Sequence, residues 1–451
     1  MITVAAIVSL RNLPLSAVFG LASIFYLVVA AFIFFIPIAL VTAELACAWP
    51  HPGGAYVWVG EAFGKKWGFY ALWISWMGII AWFPAILAFT AAMLAHFIAP
   101  FFPGLEDSKI FYFLVMLVIF WGATFLNFLG IKTSSWASTL GVLSGTVIPG
   151  ILIITLGIWW VLTGRDTQIS FTWQALVPEF RLETMVLFSG ILLSLVGVEV
   201  AAYHIREAKK PQRDYPRALA MAALLILLIS GLGTLSIAIV VPQREISLLS
   251  GLIQAFSVFF NAFNLTWIVP SLALLALVGS LASVNTWIVG PAKGLLITAQ
   301  EGFLPSVLAH VNAKGVPVGM LLFQAIIGTF LSCIFLWMDS HSAAYWVLTA
   351  LSAQFAMLEY SFVFAAIVRL RYTQPNQQRT YRVPGGKIGI WLVASIGILT
   401  CLFGVGIVFV PPAQLETGDN TFYQSLLSVS ILLLSCIPLL FGIKKRSPNR
   451  A

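Results

Sequence analysis

Three charged side chains, Arg11, Glu199 and Glu359, lie inside long apolar stretches of a 451-residue chain. A charge at the middle of a bilayer costs about 3 kcal/mol on insertion scales, so it faces a cavity or a partner. In such a place it can bind a solute of opposite charge or relay a proton. Arg11 belongs to Ser9-Leu10-Arg11-Asn12-Leu13-Pro14. Pro14 removes a backbone donor and crowds the preceding turn. Asn12 can bond the backbone groups thus freed. Glu199 closes Ser194-Leu195-Val196-Gly197-Val198-Glu199, where a glycine loosens the helix just ahead of a carboxylate. Both segments read as helices that open midway. Half-helix N-termini at such openings can hold an anionic group, and unwound carbonyls can hold an ammonium or a cation. Simpler readings stay open. Glu199 can pair with Arg206 near the cytoplasmic interface, and Arg11 can snorkel to the interface. Glu359, beside Tyr360, can be a structural partner for a neighbouring span.

These residues need elements that live in lipid. Hydrophobic residues make up 60% of the chain and charged residues 9%, against roughly 25% charged in a soluble domain. Apolar runs fall at about 2–22, 24–48, 69–99, 110–130, 139–163, 185–204, 217–241, 266–298, 318–338, 343–368, 389–410 and 423–443. Each is close to or above the ~20 residues that cross a bilayer as a helix. They are called spans 1 to 12 below. The alternating 10-residue strands of a membrane barrel are absent. The fold class is an all-α integral membrane protein with about twelve transmembrane helices.

The basic residues fix an orientation. With a cytoplasmic N-terminus, Lys109, Arg165, Arg181 and Arg244 fall outside and Arg11 lies within span 1. The other nineteen of the 24 Lys and Arg residues fall inside. That asymmetry places both termini in the cytoplasm. It also explains the net charge of +8 without nucleic acid. Span 1 has no basic region before it and no small-residue cleavage site, so a removable signal is not expected. The residues before Arg11 supply barely half a span, so the true start is expected to lie upstream.

Other chemistry is thin. Cys47, Cys333, Cys401 and Cys436 all lie in apolar segments without a CxxC pair, and the five histidines are scattered. No HExxH, Walker motif or credibly placed GxSxG appears, and no rings of pore-lining charge are suggested, so neither an enzyme nor a channel is expected. No cofactor or metal is expected either. Pro37, Pro84 and Pro149 should kink their spans. Residues 243–264 hold a short apolar stretch, read either as a helix capping the outer mouth or as a linker helix on the membrane face.

The loop after span 2 reads Trp49-Pro50-His51-Pro52-Gly53-Gly54-Ala55-Tyr56-Val57-Trp58, a turn followed by aromatic residues that could anchor a short helix at the membrane surface. Together with Pro211-Gln212-Arg213-Asp214-Tyr215-Pro216-Arg217, Gly290-Pro291-Ala292-Lys293-Gly294, Asn312-x-x-Gly315-Val316-Pro317 and Arg379-Thr380-Tyr381-Arg382-Val383-Pro384-Gly385-Gly386, it resembles the amino acid–polyamine–organocation transporter superfamily. Gly197-Val198-Glu199 and Trp287-Ile288-Val289-Gly290-Pro291 are most similar to its glutamate:4-aminobutyrate antiporter group.

The resemblance implies a five-plus-five inverted-repeat core with broken helices 1 and 6. The first repeat would be residues 1–163 and the second 164–368, with two peripheral helices and a tail in 369–451. It implies an amino acid bound by Arg11, Asn12, Val196, Gly197, Val198, Glu199, Ser283 and Trp287, with Tyr203, Glu359 and Tyr360 as gating or coupling residues. The chain departs from the antiporter group at Arg11-Asn12-Leu13, at Ser283 in place of an acidic residue, and at Ala356 in place of a tyrosine. The expected activity is alternating-access amino acid exchange in a bacterial inner membrane. Proton-coupled uptake of an amino acid or polyamine, and a non-transporting sensor, are the alternatives. Membrane lipid and protons are the other partners considered, and the oligomeric state is not readable.

Overall fold

A computed structural model describes residues 9–50, 53–129, 141, 143–178, 180–197, 211–415 and 417–440. Every regular element among them is helical. Among the described residues ten helices are long and apolar enough to cross a membrane, and they match spans 2 to 5 and 7 to 12. Spans 1 and 6 differ. Among the described residues span 1 holds only Leu10–Asn12 and Leu13–Ala17, and span 6 only Leu182–Met185 and Phe188–Ser194.

The prolines act as the chemistry demands, but not all by kinking. Pro37 and Pro149 each follow a π-helical segment, Ala31–Phe35 and Leu143–Val147. A proline lacks the N–H that the preceding turn needs, and local π winding re-routes the carbonyls left over. Pro84 lies inside the unbroken helix Lys65–Ile98.

Spans 3 and 10 form the centre. Their apolar windows are 83% and 72% buried, against 28% for span 4. Lys65–Ile98 packs along His341–Thr373 and Val269–Gln300. Ser352 Oγ donates to the Gly78 carbonyl at 2.8 Å between the first two. The buried indoles of span 3 find partners elsewhere, Trp76 Nε1 on Gln324 Oε1 and Trp73 Nε1 on the Leu434 carbonyl. Outside this centre the helices keep apolar faces exposed. Ile110, Leu114 and Val118 make a stripe at a spacing of four on span 4. Such a stripe is stable only against lipid tails.

The helix Gly251–Asn261, in the stretch read as a cap or a linker, buries Leu252, Phe256 and Phe259 and rests on span 1, where a Cβ on Gly251 would come within 2.9 Å of Pro14. It therefore sits on the bundle and not on the lipid surface. The loop after span 2 also differs from expectation. Its helix Ala55–Phe63 is present, but Trp58 and Trp49 are buried and do not sit out at the interface.

Spans 5 and 8 meet backbone to backbone. A Cβ on Gly145 would stand 2.2 Å from the Gly279 nitrogen and 2.2 Å from the Leu275 carbonyl. Only glycine permits this approach, which is the small-residue packing that membrane helices use in place of hydrophobic collapse. Gly145→Val is expected to destabilise the detergent-purified protein by about 1–3 kcal/mol through overpacking. A melting curve followed by tryptophan emission checks this, and an unchanged midpoint would contradict the contact.

Candidate functional site

The described part of span 1 begins at Ser9, whose φ of −136° and ψ of 125° are extended. A 3-10 turn, Leu10–Asn12, follows, with the Asn12 N–H on the Ser9 carbonyl at 3.1 Å. Pro14 then sits in the first turn of Leu13–Ala17, where no N–H is required. The sequence reading placed the opening at Asn12 and Pro14. Pro14 instead lies in the first turn of a helix, and the extended residue Ser9 precedes Arg11.

Arg11 is 3% exposed. Its guanidinium carbon stands 5.2 Å from the centre of the Trp82 ring and 5.7 Å from that of Tyr345. Nε and Nη1 are buried and have no hydrogen-bond acceptor among the described residues. The snorkelling alternative is thereby overturned, because the head group is boxed between rings of spans 3 and 10. Beside it lies a cavity of about 10 Å³, lined by Ser9, Arg11, Thr146, Gly279, Ser280 and Ser283. That is room for a single water. Two of the hydroxyls around it are already engaged: Ser283 Oγ donates to the Gly279 carbonyl at 3.1 Å, and Ser280 Oγ lies 2.9 Å from Thr90 Oγ1. Trp287 reaches this group through Trp82, at 6.0 Å between ring centres. Asn12 is half-buried one residue along the same turn.

The structure thus joins Arg11, Ser283 and Trp287. It adds Trp82 and Tyr345, which sequence reading missed because an aromatic ring in an apolar span carries no distinguishing signal.

Span 6 supplies a second opening. Helix Phe188–Ser194 lies against Leu13–Ala17, with a Gly190 Cβ position 2.3 Å from Leu15. Beyond it, Val196 has left the helix, and buried Gly197 adopts φ +117°, a backbone state that a side chain would strain. The Gly197 N–H donates to Tyr360 Oη at 3.2 Å, and the Tyr360 ring meets Phe34 edge-on at 5.4 Å. Glu359 is buried beside it. Val198, Glu199, Tyr203 and Arg206 lie outside the described residues. Tyr345 and Tyr360 are fifteen residues apart on one helix, about 22 Å. The helix of span 10 therefore serves both places, and the Glu359–Tyr360 pair is not part of the Arg11 pocket.

The loop motifs build a third structure. Glu44, at the end of span 2, is fully buried and was not singled out from sequence. Arg371 grips it with a two-pronged fork, Nε at 2.6 Å from one oxygen and Nη2 on the other. The Val383 N–H adds a bond at 2.7 Å. Arg379 Nε stands 3.2 Å from the carboxylate as an ion contact, not an aligned hydrogen bond. Its Nη2 donates to the carbonyls of Leu370 and Gln374, both at 2.9 Å, and its charge lies 5.4 Å from the centre of the Trp49 ring. Burial lowers the Arg379 pKa, and Glu44 opposes that shift. Nearby, Tyr56 Oη donates to Glu301 at 2.9 Å, and Lys65 pairs with the same oxygen at 3.3 Å. Burial, with that carboxylate second, pushes the Tyr56 phenol pKa up. Asn312 closes its own turn with bonds from the N–H groups of Lys314 and Val316, and donates to the Phe128 carbonyl at 3.0 Å. Among the described residues no three His, Cys, Asp or Glu side chains converge as metal ligands would.

Residues 1–434 match the family model described as "Amino acid permease". The chain is 44% identical over 447 residues to an uncharacterized transporter of Legionella pneumophila, covering 98% of this chain and 95% of the relative. It is 31% identical over 443 residues to a glutamate/gamma-aminobutyrate antiporter of Lactococcus lactis, covering 97% and 88%. A protein of the same organism named "Probable agmatine/putrescine antiporter" is 24% identical over 397 residues, covering 86% and 83%.

Removing the Glu44 carboxylate would leave two buried arginines uncompensated. Glu44→Ala is expected to lower stability by about 3–5 kcal/mol, the usual cost of breaking a buried pair. Arg371→Lys should cost less, since it keeps the charge and loses the fork. Thermal unfolding in detergent compares them. An Ala variant as stable as the parent would contradict this reading of the cluster.

Proposed function

The chain belongs to the amino acid permease family, and from that premise we propose that it exchanges one amino acid for another across a membrane by alternating access. It is a multi-pass membrane transporter and not an enzyme. The observation that carries the exchange reading is local. Ten spans are continuous, while the short helices of spans 1 and 6 lie side by side and leave helical geometry at Ser9 and Gly197. Irregular backbone at membrane depth is tolerated only where it is buried in protein or lines a cavity, and in transporters paired breaks mark the solute site.

In this reading the solute lies between the two irregular segments, near Arg11, Asn12, Ser283 and Trp287 on one side and Val196, Gly197, Val198 and Glu199 on the other. Its ammonium meets carbonyls around Val196 and the Glu199 carboxylate. Trp287, tilted against Trp82, covers it. The 10 Å³ cavity suits a closed state, which must widen to admit an amino acid. Residues 1–163 and 164–368 rock against each other as inverted repeats, with 369–451 peripheral. Tyr360, bonded to Gly197, and Glu359 and Tyr203 gate or couple that motion, with protons as the coupling ion where one is used. The basic-residue asymmetry supports cytoplasmic termini and a bacterial inner membrane. Glutamate and 4-aminobutyrate are the first pair to test, because a relative 31% identical over nearly the whole chain carries that name.

Proteoliposomes preloaded with unlabelled glutamate should take up labelled glutamate or 4-aminobutyrate faster than empty ones. Trp287→Ala and Glu199→Ala should each cut exchange by about tenfold or more, the weight of one lost charged or aromatic contact. Uptake indifferent to the internal amino acid, across a panel of amino acids, would sink the antiporter reading.

A further inference from the structure

We propose that the Arg11 guanidinium decides which solutes are accepted, by pairing with a carboxylate that every one of them must carry. The inference rests on the solute-exchange reading above and narrows it to carboxylate-bearing amino acids, excluding diamines.

Its basis is a charge without a counter-charge. Arg11 is 97% buried, and two of its guanidinium nitrogens lack acceptors among the described residues. The ring faces of Trp82 and Tyr345 offset part of its desolvation, but a quadrupole is a weak substitute for an anion. Three described buried or paired carboxylates stand elsewhere. Glu44 is held by Arg371, and Glu301 by Tyr56 and Lys65. Glu359 follows Tyr345 by fourteen residues on the same helix, about 21 Å away. The polar side chains that line the cavity with Arg11 are the neutral hydroxyls of Ser9, Thr146, Ser280 and Ser283, and the other lining residues, Leu10, Ile86, Phe89 and Ala276 among them, are apolar.

A fixed cation in a low-dielectric pocket, adjoining an opened helix, is a receptor for an anion. The planar fork of arginine fits a carboxylate in particular. The same fixed charge repels a solute that brings only positive groups. The extended residue Ser9 lies two residues before Arg11 and lines the same cavity, so backbone groups and guanidinium face one small space.

The test uses purified full-length protein and its Arg11→Gln and Arg11→Lys variants. Binding is read by tryptophan emission, since Trp82 lies against the guanidinium, and flux by counterflow in proteoliposomes. Glutamate and 4-aminobutyrate should bind the parent protein and putrescine should not. Arg11→Gln should weaken glutamate by about 10- to 100-fold, as loss of one charge-assisted contact does, and Arg11→Lys by less. The melting temperature of Arg11→Gln without solute should stay level or rise, because an unpaired buried charge has been removed. A purely structural cation would instead lower it.

The inference is overturned if Arg11→Gln binds glutamate like the parent, if putrescine binds the parent as well as glutamate does, or if the parent binds no carboxylate. It is also overturned if chloride alone reproduces the emission change. Arg11-dependent binding without counterflow would remove the exchange reading and leave this one. Normal counterflow by Arg11→Gln would do the reverse.

Discussion

A polypeptide in lipid cannot leave a backbone N–H or C=O group without a partner, and every departure from regular winding here is constrained by that rule. The ten long helices satisfy it internally. The two π segments satisfy it beside prolines by re-routing carbonyls. Ser9 and Gly197 leave helical geometry in the interior. Gly197 does so with its N–H on a tyrosine hydroxyl that reaches across from span 10.

Span 10 ties these places together. Along one continuous helix it offers Tyr345 to the Arg11 cation, Ser352 to span 3, Tyr360 to Gly197 and Arg371 to Glu44. The Arg11 pocket, the irregular end of span 6 and the Glu44 ionic cluster therefore share one rigid rod. Polar contacts are spaced along it, and between them lie the small residues Ala350, Ala353 and Ala356, which allow close approach of neighbours.

Much of this was legible in the residues. Length and continuity of apolar runs gave all ten continuous spans, with ends shifted by a few residues. The charge in span 1 and the glycine in span 6 marked the two irregular helices. What was not legible depends on facing. Pro14 reads as a helix breaker in sequence, but at the first turn of Leu13–Ala17 its missing donor costs nothing. Arg11 reads equally as an interfacial or an interior cation, and only the rings of Trp82 and Tyr345, seventy or more residues away, decide it. Glu44 reads as a charge near a span end, where water is close. Its burial depends on Arg371, Arg379 and the Val383 N–H arriving from more than three hundred residues downstream. Glu199 and Tyr203 lie beyond what the structure describes.

The π segment Ala31–Phe35 has a consequence for azimuth. A wide turn absorbs one surplus residue, so the helix past Pro37 emerges with its sides pointing differently than plain winding of the same residues would give. Each residue of an α-helix advances the side-chain direction by about 100°. Regular winding through Phe35 would rotate Glu44 by that angle and swing its carboxylate off the Arg371 fork. A local irregularity near the middle of the span thus sets the compass bearing of an acid at its far end.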